Sequence, residues 1–316
     1  MPQTAPSPLF RTLTAAWLAL SALLLCAPLG AQAAEVSIPH AQGTTVLKGA
    51  PAKIITLDFA VLDTLDTLGV PVLGVPSAVV VPPRLAHYQE DALNAGTLFE
   101  PDYEAIHAAS PDLIIVSGRS AAKYGALRRI APTVDLSPAD ADLIKNVEAR
   151  TRLLADLFGK QQQAEAKLAA IHASIDELKA LSADTGPALV ILTTGGKMSA
   201  YGPGSRFGAI HDAFGFKPAD DGLKVSLHGQ AISFEYLVKT NPEWLFVVDR
   251  DAAIGQEGQS ARRLLDNELV HKTTAWQKGQ VVYLNTVNWY LLESAGLTAL
   301  QENVEQLIEV LAQPAS

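Results

Sequence analysis

Cysteine is almost absent: Cys26 is the only one in 316 residues. A chain so poor in thiols builds neither a disulfide framework nor a cysteine-ligated metal site. Positive charge is also scarce. The 24 Lys and Arg stand against 33 Asp and Glu, a net charge of −9, which gives no global electrostatic support to nucleic-acid binding or to an anionic membrane surface. The seven histidines are scattered with no close pair, which argues against a zinc site made by protein alone. Catalytic signatures are missing too. Gly195-Gly196-Lys197 runs into Met198 rather than Ser or Thr, so it is no nucleotide-hydrolase phosphate loop. No G-x-S-x-G elbow occurs, and Gly202-Pro203-Gly204 fails as a dinucleotide fingerprint on its proline and its spacing. Nothing in the chain asks for a nucleophile, and it reads as non-enzymatic.

What is present begins with a leader. Arg11 is the only charge before Glu35; an apolar run, Leu13–Leu29, follows, and Ala31-Gln32-Ala33 offers a small-residue cleavage site. The run is shorter than the ~20 residues of a membrane span. We expect an export signal over residues 1–33. Leu23-Leu24-Leu25 lacks the small residue that precedes a lipidated cysteine, so anchoring at Cys26 is not the expectation.

The rest is organised by a stretch that occurs twice. Glu104–Arg119 reads EAIHAASPDLIIVSGR, and 131 residues further on Glu235–Arg250 reads EYLVKTNPEWLFVVDR. Glutamate, proline, valine and arginine coincide. Each copy scans as a helix end, a proline stop, a buried strand and a loop carrying one arginine. A single repeat so widely spaced predicts two lobes of similar build rather than a solenoid. Strands are expected at Lys53–Asp58, Val70–Val75, Leu113–Ser117, Thr133–Leu136, Ala188–Thr193 and Val281–Leu284, alternating with helices such as Phe59–Leu68 and Leu297–Leu311. That is the pattern of α/β layers with largely parallel sheets. Between the halves, 140–182 is rich in Ala, Leu, Glu, Lys and Gln and interrupted only by Gly159. It predicts one long bridging helix, with a break near Gly159 as the variant. The expected organisation is an N-terminal lobe over 36–138, the bridge over 140–182 and a C-terminal lobe over 187–313.

Arg119 and Arg250 follow the C-terminal ends of buried strands, the edge at which open α/β sheets bind ligands. Arg206 follows Tyr201-Gly202-Pro203-Gly204 at a helix start. Three guanidiniums, always charged and rich in donors, suit an oxygen-rich anion. The competing reading pairs each with a neighbouring carboxylate such as Asp212 or Asp249. His228 lies in a polar loop and is open between surface residue and ligand. Trp289-Tyr290 follows a strand, and its tyrosine is open between lining the cleft and packing.

These strings carry a resemblance. Ile115–Arg119 (IVSGR), Tyr201–His211 (YGPGSRFGAIH), Asn241–Arg250 (NPEWLFVVDR) and Asn288–Gly296 (NWYLLESAG) resemble the periplasmic solute-binding proteins of iron-siderophore and vitamin B12 ABC importers. They look most like the catecholate, enterochelin-type branch, and the likeness spans residues 36–313. The resemblance implies a class III periplasmic-binding-protein fold whose lobes shift little on binding, and a monomer in the periplasm with no intrinsic cofactor. It implies a ferric catecholate siderophore as ligand, cradled by Arg119, Arg206 and Arg250 with Trp289 alongside. His228 and Tyr290 would complete coordination of Fe(III) when only two catechols are supplied. Glu104 and Glu235, one per lobe, would dock on the importer's permease. The rival readings are the same build for a hydroxamate siderophore, haem or cobalamin, and an exported siderophore hydrolase.

Overall fold

The computed structural model describes residues 1–2, 35–256 and 260–312. The leader and Cys26 lie outside the described residues. No helix among the described residues is long and apolar enough to cross a membrane. Residues from Val36 onward form one compact unit.

A polar hairpin, β1 (Val36–His40) and β2 (Gly43–Leu47), leads into the first sheet. Its strands are β3 (Ile54–Thr56), β4 (Gly74–Val75), β5 (Leu93–Asn94), β6 (Leu113–Val116) and β7 (Thr133–Asp135). They lie in the order β5-β4-β3-β6-β7, and every neighbouring pair is parallel. The second sheet holds β8 (Ala188–Thr194), β9 (Lys197–Tyr201), β10 (Gln230–Ile232), β11 (Trp244–Asp249) and β12 (Val281–Tyr283), in the order β10-β9-β8-β11-β12. Here β8-β11-β12 is parallel, while β9 and β10 join antiparallel. All four residues of β6 are buried, as are six of the seven of β8, which is why both strands read as unbroken apolar runs instead of alternating.

Six helices matter to the site. Helix α1 (Phe59–Thr67) starts from Asp58, whose side chain accepts the Val61 N–H at 2.9 Å. Helices α2 (Tyr103–Ala109) and α5 (Phe234–Thr240) belong to the two copies of the repeat. Their N-caps are Asp102 and Ser233, and they stop at Ser110 and Asn241, both left-handed (φ 49° and 45°) and each followed by proline. The strands that follow, β6 and β11, hold the fourth place in their respective sheets. The duplication in the sequence is a duplication in space.

The stretch 140–182 is not one helix. Helix α3 (Leu143–Phe158) ends on Gly159, whose φ of +66° turns the chain, and α4 (Gln161–Ser182) follows. The two fold back on each other: Glu148 accepts from His172 Nε2 at 2.8 Å, and Arg152 Nε donates to Glu165 at 2.8 Å. Glycine permits the left-handed stop that a continuous helix would forbid. The bridging role falls to α4, roughly 33 Å long. It buries Ala164, Leu168, Ile171, Ile175 and Leu178, one stripe at helical spacing. That stripe shares a core with Ile54 and Ile115 of the first sheet, Val190 and Phe246 of the second, and Leu300, Val304 and Leu307 of α6 (Leu297–Ala312). The start of α6 is capped from a distance. Buried Asp63 of α1 accepts the N–H groups of Thr298 and Ala299 at 2.9 and 3.0 Å, and Arg84 Nε donates to it at 2.8 Å.

Candidate binding site

The site is assembled at the C-terminal ends of β6 and β11. Arg119 lies just past β6, after Ser117 and the left-handed Gly118 (φ 44°), and Arg250 follows β11 directly. Arg206 comes from the loop after β9, where Gly204 takes φ +69° and the Ser205 hydroxyl donates to the Gly202 carbonyl at 2.6 Å. The three guanidiniums converge on Tyr290, which sits in a π-helical turn, Val287–Leu291. Their carbons stand 5.4, 4.5 and 5.7 Å from the centre of its ring, in the order Arg119, Arg206, Arg250.

Each arginine spends its donors differently. Arg119 donates to the carbonyls of Leu291 at 3.0 Å and Tyr290 at 2.7 Å. Arg206 donates to the same Tyr290 carbonyl at 2.8 Å. Arg250 Nε donates to the Tyr290 hydroxyl at 2.9 Å, and its Nη1 to Thr194 at 3.2 Å. Burial alone would push the Tyr290 phenol up. The hydrogen bond from Arg250 and the charges of all three arginines outweigh it, so the phenol is held below its ordinary value.

Each arginine does have a carboxylate near it, but neither Asp212 nor Asp249 is the partner. Asp212 accepts the Gly204 N–H at 2.7 Å, and Asp249 accepts those of Ala252 and Ala261. Arg250 alone has an acidic sequence neighbour near it, Asp251, at 3.7 Å. The counter-ion of the other two is Glu293, whose Oε1 lies 3.1 Å from Arg119 and 3.3 Å from Arg206. Sequence reading missed Glu293, because no nearby residue marks it as an arginine partner.

Trp289, expected beside the ligand, faces the other way. It is wholly buried, edge-on to Phe214 at 6.2 Å in the shared core. Adjacent residues of a turn point apart, so a cleft that takes Tyr290 sends Trp289 inward. His228 is exposed, on a loop seated against β9: a Cβ on Gly229 (φ +68°) would stand 2.8 Å from the Ala200 carbonyl and the Tyr201 ring. Its neighbour Leu227 borders a cavity of about 270 Å³ that also reaches Asp58, Arg150, Arg206 and Glu293. His228 itself does not line that cavity, and the structure does not bring it together with the three arginines. Among the described residues no three His, Cys, Asp or Glu side chains group as a metal site. Glu104 and Glu235 are exposed in the first turns of α2 and α5. A hollow of about 620 Å³ shares Pro138, Asn146 and Arg150 with the cavity beside Leu227, and one of about 600 Å³ lies beside β12; neither is lined by Arg119, Arg206 or Arg250.

Two sheets thus deliver three guanidiniums around one phenol, a concentration of positive charge whose chemistry suits an anion. The chain belongs to the family described as periplasmic binding protein, which it matches over residues 54–287. It is similar to the petrobactin-binding protein YclQ of Bacillus subtilis, 37% identical over 86% of this chain and 87% of that one. The crystal structure of that protein superposes with a TM-score of 0.85, at 35% identity, over 89% of this chain and all of the other. The ferric-anguibactin-binding protein FatB of Vibrio anguillarum is 33% identical over 87% of each chain. The periplasmic catecholate-siderophore binding protein VctP of Vibrio cholerae gives a TM-score of 0.80 at 32% identity, covering 88% of this chain and 99% of its own. The fold is thus that of solute-binding proteins, and the chain is a binder and not an enzyme.

Proposed function

We propose that the protein captures a ferric catecholate siderophore between its two sheets and delivers it to an ABC importer for iron uptake. The observation that carries this is the convergence of Arg119, Arg206 and Arg250 on Tyr290. A ferric tris-catecholate carries about three negative charges, and local cations attract it despite the acidic whole. The similarity to a catecholate-siderophore binding protein agrees with that chemistry. Tyr290 and His228 complete the iron's coordination when a complex brings only two catechols. A phenol held below its ordinary value supplies the phenolate that Fe(III) favours, and the exposure of His228 leaves its imidazole accessible. Glu104 and Glu235 dock the loaded protein on its permease from equivalent places in the two repeats. The protein works as a monomer in the periplasm, exported by the leader over 1–33.

Tryptophan-fluorescence quenching of the mature chain with ferric bis- and tris-catecholates tests the ligand. Tight binding is expected, with the bis complex weakened by His228→Ala or Tyr290→Phe. Binding of a ferric hydroxamate but of neither catecholate would overturn the reading. Glu104→Arg and Glu235→Arg are expected to leave affinity unchanged and to lower iron uptake by cells more than about tenfold.

A further inference from the structure

Four non-glycine residues among the described ones take a positive φ. Two of them, Ser110 and Asn241, stop α2 and α5. The other two are consecutive, Glu293 and Ser294 at 54° and 56°. One left-handed residue past the π-helical turn is an ordinary helix stop, although glycine is the usual choice there. A second in a row exceeds what a stop needs, and L-residues avoid the conformation. The turn is held from three sides. The Ser294 N–H donates to the Asn288 carbonyl at 2.8 Å, Asn303 Nδ2 donates to the Ser294 hydroxyl at 3.0 Å, and buried Arg150 donates to the Ala295 carbonyl. Its result is to aim the Glu293 carboxylate between Arg119 and Arg206. Strain that the surroundings enforce at a binding site is a pointer to function.

We infer that Glu293 is a charge-selecting residue, a built-in anion in the place of a ligand oxygen that makes the site prefer ferric complexes of low negative charge. This rests on the catecholate reading above. Two carboxylates sit among the three guanidiniums, Glu293 at Arg119 and Arg206 and Asp251 at Arg250, which leaves about one positive charge at the site. A ferric bis-catecholate carries about one negative charge and matches it; a tris-catecholate, with about three, overshoots it and meets Glu293 as a like charge. The carboxylate also occupies donors of Arg119 and Arg206, so a ligand oxygen must displace it to use them. The bis complex, anchored through iron by Tyr290 and His228, depends on those donors least.

The test compares the wild type with Glu293→Gln and Glu293→Gly, titrated with ferric bis- and tris-catecholate at low and at high salt. The glycine variant removes the carboxylate and accepts the left-handed backbone, so its folding is not at risk. In both variants the tris-over-bis affinity ratio should rise on the order of tenfold at low salt, with the gain shrinking at high salt. A purely structural Glu293 would move both affinities together and leave the ratio unchanged, which overturns the inference alone. A wild type that binds neither complex overturns the ligand reading and the inference with it.

Discussion

The two copies of the repeat share a scaffold and differ in how they use it. Each runs from a capped helix through a left-handed stop and a proline into the fourth strand of its sheet, and each ends on an arginine. Arg119 is 16% exposed and tied to two carbonyls and to Glu293; Arg250 is 35% exposed and tied to the Tyr290 and Thr194 hydroxyls. The cause lies outside the repeat. The turn over 287–294 reaches across from the second half and presents backbone and carboxylate to one arginine but a phenol to the other. Duplication supplied two equivalent positions, and one unduplicated turn made them chemically unequal.

The largest effect that could break the comparison is on stability. Ile115 of β6 and Phe246 of β11 occupy the same core, so truncating either to alanine should cost roughly 2–5 kcal/mol within a single cooperative unfolding transition. Two separate transitions by calorimetry would show that the halves are independent bodies. Next come the arginines. Arg250→Ala should weaken catecholate binding about a hundredfold and Arg119→Ala only about tenfold, since Arg119 must first give up its internal partners. Equal losses in fluorescence titrations would mean that those contacts cost the ligand nothing. A smaller effect is spectroscopic. On alkaline titration of tyrosine absorbance, Tyr290 should ionise before Tyr236, which burial and then Asp220 push up to about 12. Tyr290→Phe should remove the earliest component, and an unchanged curve would refute the depressed phenol. The smallest is at the helix stops. Ser110→Gly should stabilise by about 0.5–1 kcal/mol by relieving a left-handed serine. Asn241→Gly should not, because the Asn241 side chain accepts the Thr274 N–H at 2.8 Å.

Much of this was legible in the sequence because it follows from composition and spacing. The unbroken apolar runs of β6, β8 and β11 are what strands covered on both faces require, and the repeated proline and arginine announced two equivalent sheet edges. The antiparallel strands β9 and β10 went unread, for β9 follows a two-glycine turn and mixes polar with apolar residues, and β10 is only three residues long. The fold-back at Gly159 could be named as a break but not as a reversal, since a glycine marks where a helix ends and says nothing of where the next one points. Trp289 and Tyr290 were separable only by the turn that carries them. Glu293 needed the tertiary structure outright: its partners are remote in the chain, and a left-handed glutamate leaves no mark in composition.

The cap that Asp63 places on the last helix bears on the order in which the chain matures. A polypeptide halted before Leu297 would have made both sheets and α4, yet it would leave the stripe met by Leu300, Val304 and Leu307 open to water, and the carboxylate of Asp63 without the amides it grips. Such a fragment is sticky and unfinished, the kind of intermediate that aggregates. The core shared by the two sheets is therefore closed only when this sixteen-residue helix arrives, so the fold is completed by the segment made after everything it covers.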